Sequence, residues 1–132
     1  MERKGAYAME EKRRLPEAEL AVMQAIWAHG GEIGRGDIAG ALAVHGWSAN
    51  TINTYLARLC EKGFLKSRRE GRNNLYTPLV SKDSYLEAES RRVLRRLYDG
   101  SLGNFVAALT AEEPLAQSEI DELKRFLDEM SQ

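Results

Sequence analysis

Trp47-Ser-Ala-Asn-Thr-Ile-Asn-Thr-Tyr-Leu-Ala-Arg-Leu-Cys-Glu-Lys-Gly63 is followed at once by Phe64-Leu-Lys-Ser-Arg-Arg-Glu-Gly-Arg-Asn-Asn-Leu-Tyr-Thr-Pro-Leu79. Ser48 is a good N-cap, and Ile52, Tyr55, Leu56 and Leu59 then recur at i, i+3, i+4 and i+7, the apolar stripe of an amphipathic helix that Gly63 stops. Burying that stripe leaves Asn50, Thr51, Asn53, Thr54, Ala57 and Arg58 on the other face, where Arg58 is the one charge before Glu61. A face of small polar side chains with an arginine suits a DNA major groove: Asn reads adenine, Arg reads guanine, and Thr touches phosphate or a thymine methyl. Phe64 to Arg69 and Asn74 to Leu79 read as two strands joined by Glu70-Gly71-Arg72-Asn73, a hairpin turn, with Pro78 confined to an edge or a strand end. Lys66, Arg68, Arg69 and Arg72 gather on this hairpin and can neutralise phosphates beside the groove.

Upstream lie two shorter helical patterns. A helix starts around Pro16, with Leu15 packing on Leu20, and carries Leu20, Met23, Ile26 and Trp27 on one face until His29-Gly30-Gly31. After an extended stretch at Glu32 to Gly34, Asp37 to Val44 forms a small helix turning Ile38, Ala41 and Leu42 inward, ended by Gly46. The order of helix, helix, helix, hairpin is that of a winged helix-turn-helix, in a mainly α chain. Residues 15–80 are expected to form this domain, preceded by a flexible tail at 1–14, in which Met9 is an alternative start.

Downstream, residues 81–132 read as a three-helix dimerisation domain. Ser81-Lys82-Asp83 opens a helix to about Tyr98 with Leu86, Val93, Leu94 and Leu97 on one stripe, broken by Asp99-Gly100. A short helix carries Phe105, Val106 and Leu109. The last is expected to be capped by Ser118 with Asp121, and its seam of Ile120, Leu123, Leu127 and Met130 seeks a partner helix. About 50 residues with few large apolar side chains are too few for a stable core, so pairing with a second copy is the expected remedy.

Charge supports the division. The whole chain carries a net −1, but residues 1–80 hold 12 Lys and Arg against 9 Asp and Glu, while residues 81–132 hold 7 against 11. The basic excess peaks between Arg58 and Arg72, where Arg58, Lys62, Lys66, Arg68, Arg69 and Arg72 face Glu61 and Glu70.

Other chemistry finds little to stand on. His29 and His45 lie apart at helix ends with no nucleophile beside them, and Cys60, next to the apolar stripe, reads as a small core residue. One cysteine and two histidines make no metal site, so neither enzyme nor cofactor is expected. The single cysteine and the lack of a long apolar run suggest a cytoplasmic protein with no membrane insertion. On the residues alone, a winged-helix protein-interaction module and a small-molecule-responsive regulator stay open beside DNA binding.

Three stretches, LPEAELAVMQAIW from Leu15, WSANTINTYLARLCEKGFL from Trp47 and REGRNNLYTP from Arg69, resemble the penicillinase-repressor (BlaI/MecI/CopY) family of bacterial transcription regulators, over about Leu15 to Met130. The most specific pieces are W-S-x-x-T-I-x-T-x-L-x-R-L-x-x-K-G, Trp47 to Gly63, and E-G-R-x-x-x-Y-x-P, Glu70 to Pro78. The resemblance implies a homodimeric repressor binding double-stranded operator DNA at inverted repeats, with Asn50, Thr51, Asn53, Thr54 and Arg58 facing the bases and Arg69 and Arg72 on the backbone. It also implies, for antibiotic-responsive members, a membrane sensor protease pathway that leads to cleavage of an Asn-Phe bond near the start of the dimer domain. This chain contains Asn104-Phe105, but aligned on Gly100-Ser101-Leu102 the family's bond falls about one turn later, near Ala108-Leu109. Copper-responsive members carry cysteines in the C-terminal domain; this chain has none after Cys60.

Overall fold

The computed structural model describes residues 14–132, so the tail expected at 1–14 lies, apart from Arg14, outside the described residues. The elements are α1 (Glu17–His29), β1 (Ile33–Gly34), α2 (Arg35–Ala41), a 3-10 turn (Ala43–His45), α3 (Ala49–Glu61), β2 (Leu65–Glu70), β3 (Asn73–Pro78), α4 (Lys82–Tyr98), α5 (Leu102–Leu109) and α6 (Gln117–Met130). They fall into two compact units, one running to Arg92 and one from Val93 to Gln132.

The first unit is a winged helix built on one core. Val22, Met23 and Ile26 of α1, Ile38 and Leu42 around α2, Ile52, Leu56 and Leu59 of α3, and Phe64 and Leu65 entering the wing are all buried. Each such side chain contributes about 1.5–3 kcal/mol by leaving water, which offsets the ordering of these short helices. Leu15 is buried beside them, while Leu20 and Trp27 pack at the margin. Helix α2 starts two residues earlier than its apolar pattern suggests. Ala39 rather than Ala41 turns toward the core, because the helix ends at Ala41 and a tighter turn carries the chain to Gly46.

The sheet has three strands in the order β1-β3-β2, all antiparallel. Strand β3 is therefore central, and of the two places open to Pro78, an edge or a strand end, it takes the strand end. Pro78 is tolerated because β1 pairs only with Leu75 and Tyr76 and never reaches the proline, which sits at the strand end opposite Leu65. Glu70 pairs with Asn73, so Gly71-Arg72 is a two-residue turn; Gly71 has φ +62° and Arg72 does not share the positive sign, as in a type II′ hairpin.

Tyr85, in the first turns of α4, completes this core. Its ring packs 5.7 Å from that of Trp27 and 6.0 Å from that of Phe64, and its hydroxyl accepts a hydrogen bond from the Leu15 N–H at 3.1 Å. The Trp27 indole N–H donates to the Val80 carbonyl at 2.9 Å, which ties α1 to the chain just before α4.

In the second unit Asp99, with φ +48°, and Gly100 end α4 as expected. Ser101 caps α5, accepting from the Asn104 N–H at 3.1 Å, and the ring of Phe105 meets that of Tyr98 edge-on at 5.4 Å. Helix α6 begins earlier than expected: Ala116 is the N-cap and Ser118 lies inside the helix. Glu119 explains the shift, since its carboxylate accepts the Ala116 N–H at 2.9 Å and so satisfies a donor the first turn leaves open. No residue of this unit is buried.

Candidate nucleic-acid interface

Helix α3 is held at both ends. Ser48 Oγ accepts the Thr51 N–H at 3.1 Å, closing the N-terminus. At the other end Gly63 takes φ +82°, its N–H reaches the Cys60 carbonyl, and the Phe64 N–H reaches the Leu59 carbonyl at 2.9 Å, a Schellman closure that only a residue free of a Cβ adopts without strain. The chain thus leaves the helix directly into β2. Ile52, Leu56 and Leu59 are buried and Tyr55 packs at the margin against Trp47, so the stripe read from the sequence does face the core.

The opposite face carries the expected residues. Asn50, Asn53, Thr54, Ala57 and Arg58 are exposed and Thr51 is half-buried. Their hydrogen-bonding capacity differs. The Thr54 hydroxyl donates to the Asn50 carbonyl at 3.0 Å, leaving its methyl and its lone pairs for a ligand. Thr51 Oγ1 accepts from Ser48 Oγ at 2.9 Å, so its own proton is free to be donated. The Arg58 guanidinium has no hydrogen-bond or ion-pair partner among the described residues. Asn53, by contrast, is engaged by Arg35 of α2.

The wing is more divided than its composition suggests. Strand alternation puts Lys66 and Arg68 on one face of the hairpin and Arg69 on the other, with Arg72 in the turn. Arg68 is paired: Nε and Nη2 both meet the Glu32 carboxylate at 2.7 Å, and Nη2 also meets Glu70 at 3.1 Å. The fork-to-fork bond holds the Glu32 carboxyl below the usual carboxylate range and raises the already high pKa of Arg68. Lys66, Arg69 and Arg72 stand exposed. Lys62, counted in the basic run, is also committed, with Nζ 2.5 Å from Glu19 Oε1.

Glu19, Glu32 and Arg35 are the polar residues that the sequence reading missed. Each lies far along the chain from its partner, and none belongs to a local pattern. Cys60 is a half-buried thiol whose pKa burial pushes up, against a weaker pull from a hydrogen bond to Ser67, which does not favour a thiolate nucleophile. Among the described residues no cluster of His, Cys, Asp or Glu could hold a metal ion, and no helix is long and apolar enough to cross a membrane.

The penicillinase repressor family model matches residues 15–129. The penicillinase repressor of Bacillus licheniformis is 36% identical over 122 residues, 92% of this chain and 94% of that protein. The methicillin resistance regulatory protein MecI of Staphylococcus aureus is 29% identical over 111 residues, 84% of this chain and 90% of that protein. The solution structure of the DNA-binding domain of the repressor BlaI superposes with a TM-score of 0.50 at 38% identity, covering 55% of this chain and 88% of that domain. With a winged helix of this construction and a family match along nearly its whole length, the chain belongs to the penicillinase repressor family, whose members are DNA-binding transcriptional repressors and not enzymes.

Proposed function

We propose that this chain represses transcription by binding double-stranded operator DNA as a homodimer on an inverted repeat, with α3 in the major groove and the wing on the flanking backbone. The observation that carries this reading is the outer face of α3, where Arg58 stands, among the described residues, without a partner in a row of small polar side chains. Arg58 has the fork geometry for guanine O6 and N7, Asn50 that for adenine, and Thr54 offers a methyl to thymine. Thr51, Lys66, Arg69 and Arg72 suit phosphates, and Arg68 joins them where a phosphate displaces Glu32. The names of the relatives, repressors and a DNA-binding domain, support the same reading.

Pairing would fall to the second unit together with the neighbouring Leu86. Leu97, Leu109, Leu127 and Met130 are at least half exposed, Leu86 and Leu123 nearly so, and Leu102 and Phe126, which the apolar seam did not include, are exposed with them. Leu94, Phe105 and Ile120 are half-buried. A second copy covering these residues would supply the core the unit lacks, and two-fold symmetry would present two α3 helices to successive major grooves, about 34 Å apart. Derepression by a sensor protease pathway would act on this pairing. Asn104-Phe105 and Ala108-Leu109 both lie within α5, so cutting at either bond requires that helix to unwind.

Fluorescence anisotropy on duplexes from the chain's own promoter tests the reading. Arg58→Ala is expected to weaken operator binding by about 1–3 kcal/mol while barely affecting a random duplex. Arg69→Ala is expected to weaken both and to reduce the salt slope by about 0.9. Wild-type operator affinity in both variants would overturn the proposal.

A further inference from the structure

Arg35, the first residue of α2, reaches across to α3. Its Nε donates to Asn53 Oδ1 at 2.6 Å and its Nη2 donates to the Ala49 carbonyl at 3.2 Å. Ala49 and Asn53 are one helical turn apart, so the guanidinium lies along the flank of α3, tied to both ends of that turn. Because a guanidinium only donates, the atom of Asn53 facing it must be the oxygen, and the amide nitrogen is left for a ligand. Arg35 is half-buried and Asn53 is exposed.

We infer that Arg35 is a specificity-determining positioning residue: by occupying the carbonyl of Asn53, it converts that side chain from an adenine reader into a donor that favours guanine. The inference rests on the DNA-binding reading above, in which Asn53 meets a base edge. An unrestrained asparagine recognises adenine with two bonds, accepting from N6 and donating to N7. Here a cationic donor already takes one lone pair of the oxygen and fixes its direction, so the adenine amino group would bring a second positive N–H edge against the guanidinium. Guanine offers N7 and O6, two acceptors side by side, to an amide nitrogen that carries two protons. Holding the amide plane still also removes the rotation by which a free asparagine would adapt to either base.

Selection from a duplex library randomised over about 20 base pairs, roughly the span of two half-sites, tests this with wild type, Arg35→Met, Asn53→Ala and the double variant. Methionine keeps much of the arginine stem and removes every donor. The wild type is expected to favour guanine over adenine at one position of each half-site. Arg35→Met is expected to shift that ratio toward adenine by about tenfold, within the discrimination a base contact provides, with the other positions unchanged. Asn53→Ala is expected to erase the preference, and the double variant to match it. A merely structural role would lower affinity for every sequence and lower the melting temperature without reordering the bases. Should Arg35→Met melt early, Arg35→Lys, which keeps one donor for the Asn53 oxygen, is expected to give an intermediate ratio. An unchanged preference, a uniform loss, or an adenine preference already present in the wild type would overturn the inference. A wild type that selects no sequence at all would instead overturn the DNA-binding reading on which it rests.

Discussion

The ion pair between Lys62 and Glu19 gives an asymmetric prediction. Lys62, the C-cap of α3, has a side chain 32% exposed, whereas that of Glu19 in the first turn of α1 is only 4% exposed, with Nζ and Oε1 2.5 Å apart. Removing the lysine strands a buried carboxylate, while removing the glutamate leaves an ammonium that can swing into water. Breaking a buried pair from the wrong side costs about 3–5 kcal/mol, and the partial exposure of Lys62 places Lys62→Met near the lower end, at about 3 kcal/mol. Glu19→Met is expected to cost under about 1 kcal/mol, since a thioether chain fills the same space with apolar surface. The double variant is expected to recover most of the Lys62→Met loss, because a well-packed apolar pair replaces a desolvated ionic one at little or no net cost. For a domain of this size each kcal/mol moves the melting temperature by about 4–8 °C, so Lys62→Met should melt some 12–24 °C below wild type, a gap that thermal denaturation followed by circular dichroism measures easily. A double variant no more stable than Lys62→Met, or a Glu19→Met variant as unstable as Lys62→Met, would refute the argument.

Three further outcomes follow from other features of the fold. Glu32→Ala releases Arg68, leaving it Glu70 alone, so operator binding should show a salt slope steeper by about 0.9, an extra loss of roughly 3.5-fold between about 50 and 200 mM salt in anisotropy titrations. An unchanged slope would mean that Arg68 does not reach a phosphate. The same pair has a defined pH dependence: the carboxyl of Glu32 is depressed in the folded state, so its stabilisation is present above the ordinary carboxylate range and is lost as pH falls through the folded value. The Glu32–Arg68 pair should therefore stay formed from about pH 6 to 8, and the slope difference between wild type and Glu32→Ala should not vary across that window. Leu127→Asp, on the exposed apolar side of α6, is expected to shift the chain from dimer to monomer in sedimentation equilibrium while leaving the Trp27 fluorescence of the first unit unchanged. A wild type that sediments as a monomer would remove the pairing role assigned to that unit.

Helix α3, at the centre of the proposed groove contact, was readable because its information is local. Ile52, Leu56 and Leu59 repeat within one helix, so their burial also defines which side Asn50, Asn53, Thr54 and Arg58 must occupy. Ser48 and Gly63 mark its ends for reasons that operate within three or four residues. What escaped depends on residues brought together from afar. Tyr85 sits in a helix whose apparent stripe is Leu86, Val93, Leu94 and Leu97, yet it is Tyr85 that is buried, because Leu15, Trp27 and Phe64 converge on it. Ser118 was the better capping residue by type, and Ala116 took the position because Glu119 could supply the missing acceptor. The same distinction runs through the candidate interface. Composition shows six cations between Arg58 and Arg72, but charge counting treats them as equivalent, and the fold does not: Lys62 and Arg68 are neutralised by Glu19 and Glu32, while no described residue pairs with Arg58. Arg35, outside that run, ties down Asn53 on the exposed face of α3. The groups that this face leaves open are thus decided by partners distant in sequence, so what it could offer a nucleic acid depends on tertiary pairing as much as on the residues that α3 exposes.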